Sequence, residues 1–97
     1  MHHVELIIER VRSRHPDVVV NQIQVSHPGV DDDGLWFFRL PDVTDEIQIE
    51  SSSYDLPFLI EGSDVSPTGR LESASLDEVV EAVSLFLERT RRRSESA

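Results

Sequence analysis

Apolar residues recur at Val4, Ile7, Ile8 and Val11, the i, i+3, i+4, i+7 spacing that lines one face of a helix, and this predicts a helix over His3 to Arg14. Glu5, Glu9, Arg10 and Arg12 form its other face, and Pro16 ends it by restricting His15 and removing a backbone donor. Beyond that break the period becomes two. The stretch from Val18 to Val25, with Ile23 and Val25 alternating against Gln22 and Gln24, reads as a strand ending near Ser26. His27 to Gly34 is rich in Pro, Gly and Asp and reads as a turn. Leu35-Trp36-Phe37-Phe38-Arg39-Leu40 is the most β-prone run and predicts a second strand. After a turn at Pro41 to Asp45, the faultless alternation of Glu46-Ile47-Gln48-Ile49-Glu50 predicts a third strand with one wet face. A Ser51 to Asp55 loop leads to a short fourth strand, Phe58 to Glu61, and Gly62 to Gly69 reads as a long loop. The last helix begins at Ser75, with Glu78 at capping-box spacing and an apolar stripe of Leu76, Val79, Val80, Val83, Phe86 and Leu87.

The pattern predicts an α+β domain: an N-terminal helix, a four-stranded antiparallel meander, and a C-terminal helix. Short connections favour hairpins over crossovers, and the polar alternation of the first and third strands puts both helices on one face of the sheet. Residues 1–88 make the domain, and 89–97 are expected to fray as an Arg-rich tail. The opposite sheet face is left exposed or covered by a partner.

Composition narrows the function. A length of 97 residues with 38% hydrophobic content supports one modest core. The lack of Cys removes disulfides, thiol catalysis and Cys-ligated metal sites. No apolar run approaches a membrane span and no signal-peptide pattern opens the chain, so a cytoplasmic location is expected. The 19 acidic residues outnumber the 9 basic ones, and a net charge of −10 argues against binding nucleic acid or an anionic membrane. The imbalance is concentrated between His15 and Glu88, where the only arginines are Arg39 and Arg70.

Candidate chemistry is sparse. Asp31-Asp32-Asp33-Gly34 invites a calcium reading, but an EF-hand loop aligned on Gly34 needs acids where Gly29 and Leu40 stand. His2, His3, His15 and His27 show no i, i+4 metal spacing. No Ser sits in a Gly-x-Ser-x-Gly turn, and no Gly-rich phosphate loop is present. Glu46 and Glu50 on one strand face stand ~13 Å apart, too far for paired acid/base work. No metal, no cofactor and no enzymatic activity are therefore expected. In the second strand, Trp36, Phe38 and Leu40 share one face while Leu35, Phe37 and Arg39 share the other. A two-layer domain has one core side, so whichever set faces away forms an aromatic patch. Arg39 is placed either to pair with Glu46, Gln48 or Glu50 on the next strand or to serve an interface.

The runs Gly34-Leu35-Trp36-Phe37-Phe38-Arg39-Leu40-Pro41, Glu46-Ile47-Gln48-Ile49-Glu50-Ser51 and Pro57-Phe58-Leu59-Ile60-Glu61 resemble, over roughly residues 3 to 88, a pattern in small bacterial α+β domains, some of which are similar to immunity proteins of toxin systems. The resemblance implies a protein that binds and blocks a toxin. An acidic, motif-free domain suits the masking of a basic surface, such as a nuclease active site. On that reading Asp31, Asp32 and Asp33, with Trp36 and Arg39, form the partner-binding patch. The alternative is a self-associating structural or chaperone-like domain, a homodimer formed through the open sheet face or an edge strand. A third reading is a small-molecule binder with the Gly62 to Gly69 loop as lid.

Overall fold

A computed structural model describes residues 2–22, 34–63 and 65–95. The elements are α1 (His3–Arg14), β1 (Val19–Gln22), β2 (Leu35–Arg39), β3 (Ile47–Glu50), β4 (Phe58–Glu61), β5 (Arg70–Ser73) and α2 (Leu76–Glu95). All five strands pair antiparallel with their sequence neighbours in the order β1-β2-β3-β4-β5, and the two helices cover one face of the sheet. The α+β architecture is the expected one, but among the described residues the meander has five strands rather than four. Arg70-Leu71-Glu72-Ser73 pairs with β4 in the register Leu59↔Glu72 and Ile60↔Leu71, and only Leu71 offers it a large apolar side chain. The turn before it is closed by Gly69 at φ 76°, whose N–H donates to Ser66 O, while Ser66 Oγ accepts the Arg70 N–H at 3.1 Å.

An odd number of alternating strands returns the chain so that α2 runs in the same sense as α1. Ion pairs record this: between the helices Arg10 meets Asp77 at 2.8 Å and Arg14 meets Glu81 at 2.8 Å and Glu88 at 3.1 Å, and just beyond α1 Asp17 meets Arg91 at 2.8 Å. Between the layers lies one core. Val4, Ile7 and Val11 of α1 and Val79, Val83, Phe86 and Leu87 of α2 bury themselves against Trp36, Phe38, Ile47, Ile49, Phe58 and Ile60. Register lines these strand residues up, Trp36 opposite Ile49 and Phe38 opposite Ile47, so the interior face is apolar across three strands.

Helix ends follow local chemistry. Ser75 Oγ accepts the Glu78 N–H at 3.2 Å, one arm of the expected capping box, while the Ser75 N–H donates to Ser73 Oγ at 3.0 Å. Residues 89–95, expected to fray, are helical, because α2 continues through Glu95; residues 96 and 97 lie outside the described residues. Thr90 is 2% exposed and its Oγ1 donates to Leu87 O, and Arg91 and Arg93 reach Asp17 and Asp45, so this turn is held by tertiary contacts. In β1 the expected continuation from Ile23 to Ser26 lies outside the described residues.

Candidate functional site

Alternation along the strands turns Val19, Asn21, Leu35, Phe37, Arg39, Gln48, Glu50, Leu59, Glu61, Arg70 and Glu72 away from both helices. Register arranges them in rows. One row runs Asn21, Phe37, Gln48, Glu61, Arg70, and the next runs Leu35, Glu50, Leu59, Glu72. Leu35, Phe37 and Leu59 are half-buried and form the apolar part of this face. Glu50 and Glu72 flank Leu59, and neither has an ion-pair partner among the described residues. Glu61 is closed onto Arg70 at 3.4 Å. Beside them a depression of about 310 Å³ is bordered by Glu50, Ser52, Ser53, Pro57, Leu59 and Glu72.

The helix layer is electrostatically different. Arg10, Arg14, Arg91 and Arg93 all meet carboxylates of the chain itself. The hydrogen bond from Arg91 holds the Asp17 carboxyl below the usual range, and the bond to Glu81 raises Arg14 above its ordinary value. Arginine is thus largely satisfied on the helix side. On the sheet side Glu50 and Glu72, without ion-pair partners among the described residues, flank Leu59.

The expected contact residues do not all meet here. Trp36 is 4% exposed and lies in the core, its ring edge-on to Tyr54 at 5.1 Å and to Phe58 at 6.4 Å, so it is not available to a partner. Its neighbour Phe37 takes that place on the open face. Arg39 does lie on that face; it donates to Leu40 O at 3.3 Å and makes no ion pair among the described residues. Of the two expectations for Arg39, the cross-strand contact with Glu46, Gln48 or Glu50 is not found among the described residues. Asp31, Asp32 and Asp33 lie outside the described residues, in the connection between β1 and β2. Leu59 and Glu72 escaped the sequence reading, since Glu72 belongs to β5 and reaches Leu59 only through register.

A second cluster forms where the β3–β4 loop meets the start of α1. Asp55 Oδ1 accepts the His3 N–H at 2.9 Å and Oδ2 lies 3.3 Å from His2 Nδ1, so a carboxylate distant in sequence supplies the cap that His2 does not. The His3 N–H first, and the His2 ring second, hold the Asp55 carboxyl below its ordinary value. Tyr54 sits at φ 66°, a costly conformation for a bulky residue. Its N–H donates to Ser51 O, its carbonyl accepts the Val4 N–H, and its ring packs on Trp36 and His2. Ser51 Oγ donates to Asp55 O at 2.6 Å, and no Ser–His hydrogen bond occurs among the described residues. This is a helix clamp with a His–Asp contact but without an activated nucleophile. Among the described residues no group of three His, Cys, Asp or Glu is placed to hold a metal.

Fold and site together define a class, a two-layer α+β domain with a five-stranded antiparallel meander and one sheet face turned away from its helices. Set against protein-family models, curated proteins and solved structures, the chain matches none of them.

Proposed function

We propose that this chain is a non-enzymatic acidic protein-binding domain that masks a basic partner with its open sheet face, in the manner of an immunity protein that blocks a toxin. The observation that carries the reading is the separation of charge. In the helix layer Arg10, Arg14, Arg91 and Arg93 are closed onto carboxylates of the chain, whereas Glu50 and Glu72 flank Leu59, beside Phe37 and Leu35, with no ion-pair partner among the described residues. Apolar anchors surrounded by carboxylates suit a lysine- or arginine-rich surface: the apolar side chains supply desolvated contact area, and the carboxylates steer encounter. Asp31, Asp32 and Asp33, outside the described residues, add three carboxylates to the chain's acidic excess.

The test is capture from the native host on tagged protein at low and high salt, with the bound protein identified by mass spectrometry. The expected result is one stoichiometric basic protein, released by salt. Its capture is lost in Glu50→Lys/Glu72→Lys and in Phe37→Arg, weakened when Asp31, Asp32 and Asp33 become Lys, and retained in Glu9→Lys on α1. Capture that survives the Glu50 and Glu72 reversals would refute the assignment of this face.

A further inference from the structure

The outward stripe of α2 carries a second interaction surface. Leu85, at 39%, is the exposed large hydrophobic residue among the described ones, and it sits midway along Glu78, Ala82, Leu85, Arg89 and Arg92. These positions repeat at alternating intervals of four and three, the spacing of a seam along which two helices pack. Val65, on the β4–β5 loop, joins Ala82, Leu85 and Phe86 in a groove of about 240 Å³, with Glu78 and Arg89 at its rim. Ala82 packs against the edge of the core while Leu85 stays exposed, and the ion pairs to α1 leave the helix on an adjacent side, at Asp77, Glu81 and Glu88.

We infer that the occupant of this groove is a second copy of the chain, packed with α2 antiparallel to α2 about a two-fold axis at Leu85. Charge order along the helix selects that occupant. In an antiparallel pair centred on Leu85, residues equally far before and after it face one another. Glu78 then opposes Arg92 at seven positions from the axis, and Glu81 opposes Arg89 at four. Both pairs occur twice, once on each side of the axis. The stripe is therefore acidic in its first half and basic in its second, which makes it complementary to itself when reversed and repulsive when aligned in parallel. Leu85 of each copy enters the groove formed by Val65, Ala82 and Phe86 of the other. Glu81 remains within reach of Arg14 and is shared between the two arginines. This interface lies apart from the open sheet face, so it is compatible with a partner bound there.

The test is sedimentation equilibrium of the full chain over a wide concentration range, with circular dichroism as the check on folding. The expected result is a reversible monomer–dimer equilibrium that Leu85→Glu weakens by about tenfold or more. Glu78→Arg/Glu81→Arg and Arg89→Glu/Arg92→Glu should each be monomeric alone and should form a heterodimer when mixed, because the mixture restores opposite charges at every opposed position. Phe37→Arg, on the sheet face, should leave the dimer intact. A wild-type chain that stays monomeric throughout overturns the inference, as does a dimer insensitive to Leu85→Glu. Charge-reversed variants that fail to pair on mixing overturn the antiparallel arrangement.

Discussion

Replacing Gly34 by Ala provides a sharp test of how the sheet is packed. Gly34 precedes β2 and is buried, its carbonyl accepts the Ser51 N–H at 2.8 Å, and its backbone needs no left-handed conformation. From backbone freedom alone the substitution would stabilise the protein by about 0.4–1 kcal/mol, by restricting the unfolded chain. Packing predicts the opposite sign. A Cβ at Gly34 collides with the Ser51 carbonyl oxygen and comes within 2.7 Å of its carbon and 3.1 Å of Ser52 Cα. These are backbone atoms and cannot rotate aside, so β2 and the end of β3 must part. Losing the hydrogen bond costs about 1 kcal/mol, and displacing a packed strand about 1–3 kcal/mol. After the entropic offset the net loss is about 2 kcal/mol, which for a chain of this size lowers Tm by roughly 8–16 °C. Urea unfolding followed by Trp36 fluorescence measures this, since Trp36 is the only tryptophan and is buried, with far-UV circular dichroism as the second probe. A Gly34→Ala variant as stable as the parent would refute the close approach of these two strands.

Three further outcomes are expected. Phe38→Ala should cost about 3–5 kcal/mol because the ring is fully buried, whereas Phe37→Ala, on the open face, should cost far less; equal losses in urea denaturation would contradict the facing of β2. Asp55 and Asp17 have lowered pKa values in the folded state, so their contribution is present above the unfolded carboxylate pKa of about 3.9 and is lost as pH falls through the folded value. The stability gap between the parent and Asp55→Asn/Asp17→Asn should therefore be open at pH 7 and close in acid; a gap independent of pH would contradict the capping and ion-pair roles. Deleting residues 89–97 should lower Tm, since it removes buried Thr90 and the Arg91–Asp17 pair, and an unchanged melting curve would show that this turn contributes nothing.

Much of the architecture was legible because α1, β2, β3 and α2 carry strong periodicity. The span of α1 and the Ser75 cap follow from apolar spacing and one hydroxyl. β5 was not legible, because Arg-Leu-Glu-Ser has a single large apolar residue and owes its strand conformation to the ladder with β4. The last turn of α2 was read as fraying because Arg91-Arg92-Arg93 looks like a solvated tail, while its support comes from Asp17 and Asp45 elsewhere in the chain. The open face was half legible. Alternation separated Trp36 from Phe37, but both are aromatic, and only the register that sets Trp36 opposite Ile49 decides which of them is inside.

The clamp at Asp55 and the pairing of the two helices have a consequence for how the chain is made. Residues in contact there are separated by 52 positions for His3 and Asp55 and by 74 for Arg14 and Glu88, so closing the fold requires contacts between distant parts of the chain. During synthesis the apolar face of the meander emerges before α2, the last element, which supplies Val79, Val83, Phe86 and Leu87 to cover it. Until then only α1 is available to cover Trp36, Phe38, Ile47, Ile49, Phe58 and Ile60, and the half-covered sheet has unprotected edges, a species prone to association. Glu50 and Glu61 alternate with those side chains along β3 and β4, and like charges placed beside apolar strand residues disfavour the association of nascent chains.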